Sequence, residues 1–335
     1  LDNIKLYDSI ESIEKVDATF FDTDANYETN NNNNNNDSFN SSNNFSNRRI
    51  IKNNLTRAAK YFRAAALQGD AEAMNNYGLM LMKGEGVDQN LKEARKYFQM
   101  SSDHGNSFGQ NNLGVLLRNI EPEKATRLFA QSAKQHNLSG MNNYGLMLMK
   151  SDDEKDRIEA LSLFKTAADE GHPNAMYNYA KLAIKQIKKG FVIYDESDEN
   201  SIENDRTVSI DSLMEKYMKE SADLGDVDAM NSYGSYLYKN KNNEKLAAFY
   251  FREAAEAGNA SAMNKLASLI KNQLDNEEGS LNEDLEKLKQ EMLDWFECAM
   301  NIGNINAMNN LASLYYTGSY VEKDVEKAKM IYKKA

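Results

Sequence analysis

The sequence predicts an all-α solenoid of stacked helix–turn–helix repeats, and three observations predict it. The string Ala73-Met74-Asn75-Asn76-Tyr77-Gly78 returns as Gly140-Met141-Asn142-Asn143-Tyr144-Gly145, with looser copies beginning at Gly109, Ala175, Ala229, Ala262 and Ala307. A second motif precedes each copy: two bulky residues, two variable, two small, two variable, then usually Gly. From that glycine slot to the next small residue is four positions in all seven cases. Self-similarity held in such constant register is the signature of a repeat architecture.

The elements follow in order. Tyr61-Phe62 leads through Ala65-Ala66 to Gly69, and Tyr97-Phe98 leads through Ser101-Ser102 to Gly105. Leu163-Phe164 reaches Gly171 in the same way, Tyr217-Met218 reaches Gly225, Tyr250-Phe251 reaches Gly258 and Trp295-Phe296 reaches Gly303. Leu128-Phe129 instead puts His136 in the glycine slot. Large and small residues four apart share a helical face, so the small ones admit a neighbouring helix. A Gly just past the last periodic residue fits a left-handed C-terminal cap. Asn90…Glu93 and Asp156…Glu159 have the spacing of capping boxes that open second helices, with Asn54, Asn243 and Asp324 in the same slot. Gly78, Gly114, Gly145 and Gly234 fall in mid-helix, where Gly costs about 1 kcal/mol, so close helix packing is expected there. Ala180, Ala267 and Ala312 fill the slot elsewhere.

The run Ala73-…-Tyr77-Gly78-…-Gly84-Glu85-Gly86-Val87-…-Ala94-…-Tyr97-Phe98-…-Gly105 resembles the Sel-1-like repeat, a relative of the tetratricopeptide repeat. The resemblance covers residues 53–335. Only the first copy has the full Gly-x-Gly-Val loop, and the seventh keeps Gly318-Ser319-Tyr320-Val321. It implies a right-handed superhelical solenoid: a lone second helix at about 53–68, six full repeats, and a seventh cut off at Ala335. A chain that lacks an initiator Met and stops within a motif reads as a piece of a longer protein. An array open at its end exposes an apolar helix face.

Outside the repeat lie an acidic segment, 1–29, and an Asn-rich linker, 30–52, with an unbroken asparagine run from Asn30 to Asn36. Such a tract buries too little to offset its ordering entropy and is expected to be disordered; prion-like assembly is the alternative reading. Ile4, Tyr7, Ile10, Ile13 and Val16 recur every three residues, as in a short amphipathic helix or the remnant of an upstream domain. Insertions are expected at about 187–209 and 272–290. The first is polar and reads as a mobile loop. In the second, Ser280…Glu283 and the helical spacing of Leu281, Leu285, Leu288, Met292 and Trp295 predict one continuous helix from about 281 to 301.

Charge sharpens the division. The chain has 335 residues and net charge −11, yet 1–28 and 195–211 each carry −6 and 275–284 adds five acids without a base. The remainder is mildly basic, with no stretch suited to a nucleic-acid groove. No apolar run approaches the roughly 20 residues of a membrane span, and 1–21 is too acidic for a secretory signal. A cytoplasmic location is expected. One cysteine excludes a disulfide scaffold and a thiolate zinc cluster.

No catalytic, metal or cofactor chemistry is expected. His104, His136 and His172 fall at turns between repeats, where equivalent positions lie about one helix-pair width apart, roughly 10 Å, too far to share a metal. Cys298 has no basic neighbour in sequence to activate it. Gly84-Glu85-Gly86 is the repeat loop rather than a phosphate cradle.

The resemblance implies that first helices line the concave face and hold partner proteins or extended peptides there. One outward row would be Asn75, Asn111, Asn142, Tyr177, Asn231, Asn264 and Asn309. One turn on come Leu79, Val115, Leu146, Lys181, Ser235, Ser268 and Ser313, then Met82, Arg118, Met149, Ile184, Tyr238, Lys271 and Tyr316. Asparagines offer donor and acceptor to a peptide backbone, and Leu79, Met82, Leu146 and Met149 offer an adaptable apolar strip. Two structural alternatives stand beside this. The adjacent row of Asn76, Asn112, Asn143, Asn178 and Asn310 reads as a structural position, and the methionines also suit the core. The functional expectation is a non-catalytic scaffold or adaptor. The alternative is the regulatory or targeting region of a larger signalling enzyme, such as a kinase-like protein with its catalytic domain upstream.

Overall fold

The computed structural model describes residues 41–194, 207–276 and 283–335. The acidic segment, residues 30–40 of the linker, residues 195–206 of the first insertion and residues 277–282 of the second lie outside the described residues. The chain divides into two compact units, Leu1–Glu170 and Gly171–Ala335.

The first unit is a stack of helix pairs. Helix α1, Ser41–Leu67, is a second-type helix without a described first partner. Then come α2 (Ala71–Lys83) with α3 (Leu91–Asp103), α4 (Ser107–Leu117) with α5 (Pro122–Lys134), and α6 (Leu138–Leu148) with α7 (Glu154–Asp169). Each first helix packs on the second helix of its own repeat and on that of the repeat before it. Consecutive first helices also touch, α2 against α4 and α4 against α6.

The second unit continues the same alternation: α8 (Pro173–Lys188), then α9 (Ile210–Leu213), a π-helical turn (Met214–Met218) and α10 (Lys219–Asp223). It goes on through α11 (Val227–Asn240) with α12 (Glu244–Glu256), α13 (Ala260–Asn276) with α14 (Glu283–Asn301), and α15 (Ile305–Thr317) with α16 (Val325–Tyr332). Helix α14 is the helix expected from about 281 to 301, described from Glu283 onward; Ser280 and Leu281 lie outside the described residues. At the first insertion, described residues on either side pair with each other: Tyr194 bridges Thr207, and Val208 N–H donates to the Ile193 carbonyl at 2.8 Å.

The mid-helix glycines have a clear physical cause. A Cβ built on Gly78, Gly114 or Gly145 would lie 2.7, 2.6 or 2.6 Å from Cε1 of Phe98, Phe129 or Phe164 on the paired second helix. Those phenylalanines are fully buried, and contact of their rings with bare backbone offsets the poor helix propensity of Gly. The small residues of the second helices do related work. Ser101 and Ser132 are buried and donate to the carbonyls of Ala71 and Ser107 at 2.6 and 2.8 Å, satisfying hydroxyls where helices meet. Tyrosines interlock across the pairs: Tyr77 meets Tyr97 edge-on with centroids 4.7 Å apart, and Tyr233 meets Tyr250 at 5.1 Å.

Three local expectations are corrected. The first helix begins at Ser41 rather than near 53, so 41–52 is helical and Asn54 lies inside the helix instead of capping it. Helix α7 is capped by Asp153, whose carboxylate accepts from Lys155 N–H at 2.9 Å, so Asp156 falls within the first turn. Asn90 does cap α3, accepting from Glu93 N–H, but its own N–H donates to the Leu81 carbonyl, so the box is not reciprocal. Asn243 and Asp324 cap α12 and α16 as expected. His136 takes the glycine slot with φ of 59°, in the left-handed region where an L-residue is strained.

Candidate partner-binding face

The first helices of the first unit carry Asn75, Asn111 and Asn142, expected to face outward. They are buried instead, at 4%, 0% and 3% exposure. Asn112 Nδ2 donates to Asn75 Oδ1 at 2.8 Å, and Asn143 Nδ2 donates to Asn111 Oδ1 at 2.8 Å. Within a helix, Asn75 and Asn111 donate to the neighbouring Asn76 and Asn112. The two asparagine rows are therefore one ladder: the second amide of each repeat reaches the first amide of the repeat before. Amide groups in a low-dielectric interface need both donor and acceptor satisfied, and a chain of asparagines supplies both at one fixed spacing. Nearby, Met82 is buried in the core, while Leu79, Leu146 and Met149 are half-buried.

The second unit uses the same positions differently. Asn231 and Asn264 are half-buried, Asn309 is exposed, and Tyr316 is exposed at 57%. Asn310 Nδ2 donates to Asn264 Oδ1 at 2.9 Å, which keeps one rung of the ladder. At the rung before it, Lys265 occupies the donor slot. Its ammonium donates to Asn231 Oδ1 and Ser235 Oγ, each at 2.7 Å, and lies 5.4 Å from the centroid of the Phe251 ring. A lysine spans further than an asparagine, and α11 and α13 lack the extended backbone contact that α2 makes with α4.

Between α11 and α13 lies a pocket of about 230 Å³, lined among others by Ser235, Tyr238, Phe251, Lys265, Ser268 and Leu269. Its origin is legible by position. Ser235 and Ser268 stand in the row where the first unit has Leu79, Val115 and Leu146. The smaller side chains leave space, and their hydroxyls are satisfied by the helix itself, donating to the Asn231 and Asn264 carbonyls at 2.7 Å. Burial pushes the Lys265 ammonium down to about 8, assisted by repulsion from Lys239. Elsewhere in this unit, phenols meet carboxylates in structural pairs: Tyr233 donates to Glu215 at 2.9 Å and Tyr250 to Asp223 at 2.6 Å, which with burial raises both phenols.

The histidines serve the turns. His172 caps α8 by accepting from Ala175 N–H at 3.2 Å, and His104 Nδ1 lies 2.9 Å from the Met100 carbonyl. Among the described residues, no three of His, Cys, Asp and Glu are grouped as metal ligands, and no helix is long and apolar enough to cross a membrane. Cys298 is exposed. Sequence reasoning did not find Lys265, although its departure from asparagine in the ladder slot was visible.

Fold and face together define a helical-repeat protein whose first helices form either a closed amide ladder or an open groove. The Sel1 repeat model matches at residues 47–70, 71–106, 138–172, 221–259 and 305–335, and the chain belongs to the Sel1-repeat family. The stretches between matches hold the same helices, with His136 in the glycine slot of one and insertions in the other two. Among solved structures, a protective antigen of uropathogenic Escherichia coli with an SLR fold is 20% identical, with TM-score 0.44, covering 83% of this chain and 64% of that one. The chain thus spans just under two thirds of that protein's length. A Sel1 repeat protein from Oxalobacter formigenes is also 20% identical, with TM-score 0.41, covering 85% and 95%. Yeast Tom70 is 13% identical, with TM-score 0.43, covering 84% and 54%. No curated protein matches the chain by sequence.

Proposed function

We propose that this chain is a non-catalytic adaptor that holds another protein, as an extended peptide, along the first helices of residues 171–335. One observation carries the reading: the groove between α11 and α13, where polar and aromatic side chains remain half-open around a pocket. Extended peptides suit such a groove because asparagine side-chain amides along it offer donor and acceptor to a peptide backbone, and pockets supply selectivity. Asn231, Tyr238, Asn264, Asn309 and Tyr316 are the proposed contacts. The buried amides of Asn75, Asn111 and Asn142 support the fold in this reading.

A photo-crosslinking side chain at Tyr238 or Tyr316, compared with one at exposed Glu253 on α12, tests it in lysate. Discrete adducts from the first two positions, absent from the third, are expected. Equal adducts from all three, or none from any, would remove the assignment of a binding face.

A further inference from the structure

The pocket between α11 and α13 has a chemistry of its own. Lys265 Nζ donates two hydrogen bonds, both to neutral oxygens, Asn231 Oδ1 and Ser235 Oγ. Among the described residues no carboxylate lies within ion-pair distance of it, and the nearby charge that acts on it is another cation, Lys239, at the pocket rim. An ammonium has three N–H groups, so one is left over. Ser268 and Asn272 also line the pocket, and Tyr238, Phe251 and Leu269 give it apolar surface that suits methylene groups. Other lysines of this unit do meet a carboxylate on their own helix: Lys219 meets Asp223 at 2.6 Å and Lys271 meets Asp275 at 2.6 Å. Lys265 is held in place by neutral acceptors while its charge stays uncompensated.

We infer that this pocket receives a carboxylate side chain, glutamate or aspartate, projecting from an extended partner peptide, with Lys265 as its ion-pair partner. The inference rests on the proposed peptide-binding face and specifies what that face selects. A single anionic charge balances the half-buried Lys265 ammonium, and Lys239, which also lines the pocket, supplies a favourable field for its entry. The volume of about 230 Å³ suits one side chain. Ser235 and Ser268 keep that volume open, since a leucine at either position would occupy it.

The full chain is titrated with acetyl-Leu-Glu-Leu-amide and with its glutamine counterpart, following the lysine side-chain NMR signals. A saturable shift of Lys265 is expected, with the glutamate peptide binding about tenfold or more tightly than the glutamine one. Lys265→Met should erase that preference, and Ser235→Leu, which leaves the lysine present, should block both peptides. Lys239→Gln should weaken the glutamate peptide several-fold. Equal affinity for the two peptides would overturn the carboxylate assignment while leaving the peptide-binding face intact. Binding of neither peptide, with the Tyr238 crosslinks retained, would do the same. Hexanoate binding as tightly as the glutamate peptide would overturn the peptide as its source. A concentration-dependent dimer that broadens the Lys265 signal without added peptide would show that a second copy fills the pocket, and would also overturn it.

Discussion

Two ladders built on the same slots behave differently in the two units. In the first, Asn112 and Asn143 reach Asn75 and Asn111 across adjacent repeats, and the chain of amides is sealed from water. In the second, Lys265 reaches Asn231 from the same slot, serines replace the apolar residues one turn on, and a pocket opens. One repeat geometry thus makes either a strut or a pocket, depending on whether the slot holds a neutral amide or a charged, longer side chain. The difference lies in side-chain length and in how closely neighbouring first helices approach each other.

The comparison breaks most readily at its buried end. Asn111→Ala strips the acceptor from Asn143 and the donor from Asn112 inside the core, and should cost about 2–3 kcal/mol by denaturant unfolding. Asn309→Ala, at the equivalent but exposed position, should stay within about 0.5 kcal/mol. Next in size is the helix-pair contact. Gly114→Ala pushes a methyl to 2.6 Å from Phe129 and should cost about 1–2 kcal/mol after its gain in helix propensity. Gly234→Ala, at 2.9 Å from Phe251, should cost less, and thermal melts of the two variants check the order.

The lysine itself gives a pH test. Its folded value lies at about 8, below the ordinary 10.5, so between these values the unfolded chain binds more protons than the folded one. Stability from this group therefore rises as pH climbs from about 8 towards 10.5, and below that window the charged form is a constant burden. A side-chain NMR titration of Lys265 should show a midpoint near 8.

The periodicity of small and bulky residues revealed the helix pairs, because packing leaves a direct imprint on composition. Gly114 opposite Phe129 is visible in sequence as a costly glycine that needs a partner. Asn75, Asn111 and Asn142 are buried, against the outward placement expected of them, for a physical reason. Helical spacing tells which residues share a face, but a side chain between two stacked helices lies at the border of core and surface. Whether Asn75 meets solvent depends on how closely α2 approaches α4, which is a tertiary quantity. The helix start at Ser41 was missed because asparagine- and serine-rich sequence has weak helix propensity, and context overrides it. Lys265 was passed over because a lysine on a helix ordinarily reads as solvated surface.

The most direct test compares the two ladder slots at pH 7 by urea unfolding of Asn143→Ala and Lys265→Met. If the first unit uses its slot as a strut and the second as a site, Asn143→Ala costs about 2–3 kcal/mol, because Asn111 loses its buried donor. Lys265→Met then costs under about 0.5 kcal/mol or stabilises, because an apolar side chain replaces a charge that burial disfavours. A loss at Lys265→Met as large as that at Asn143→Ala would mean that both slots are struts, and would contradict the account.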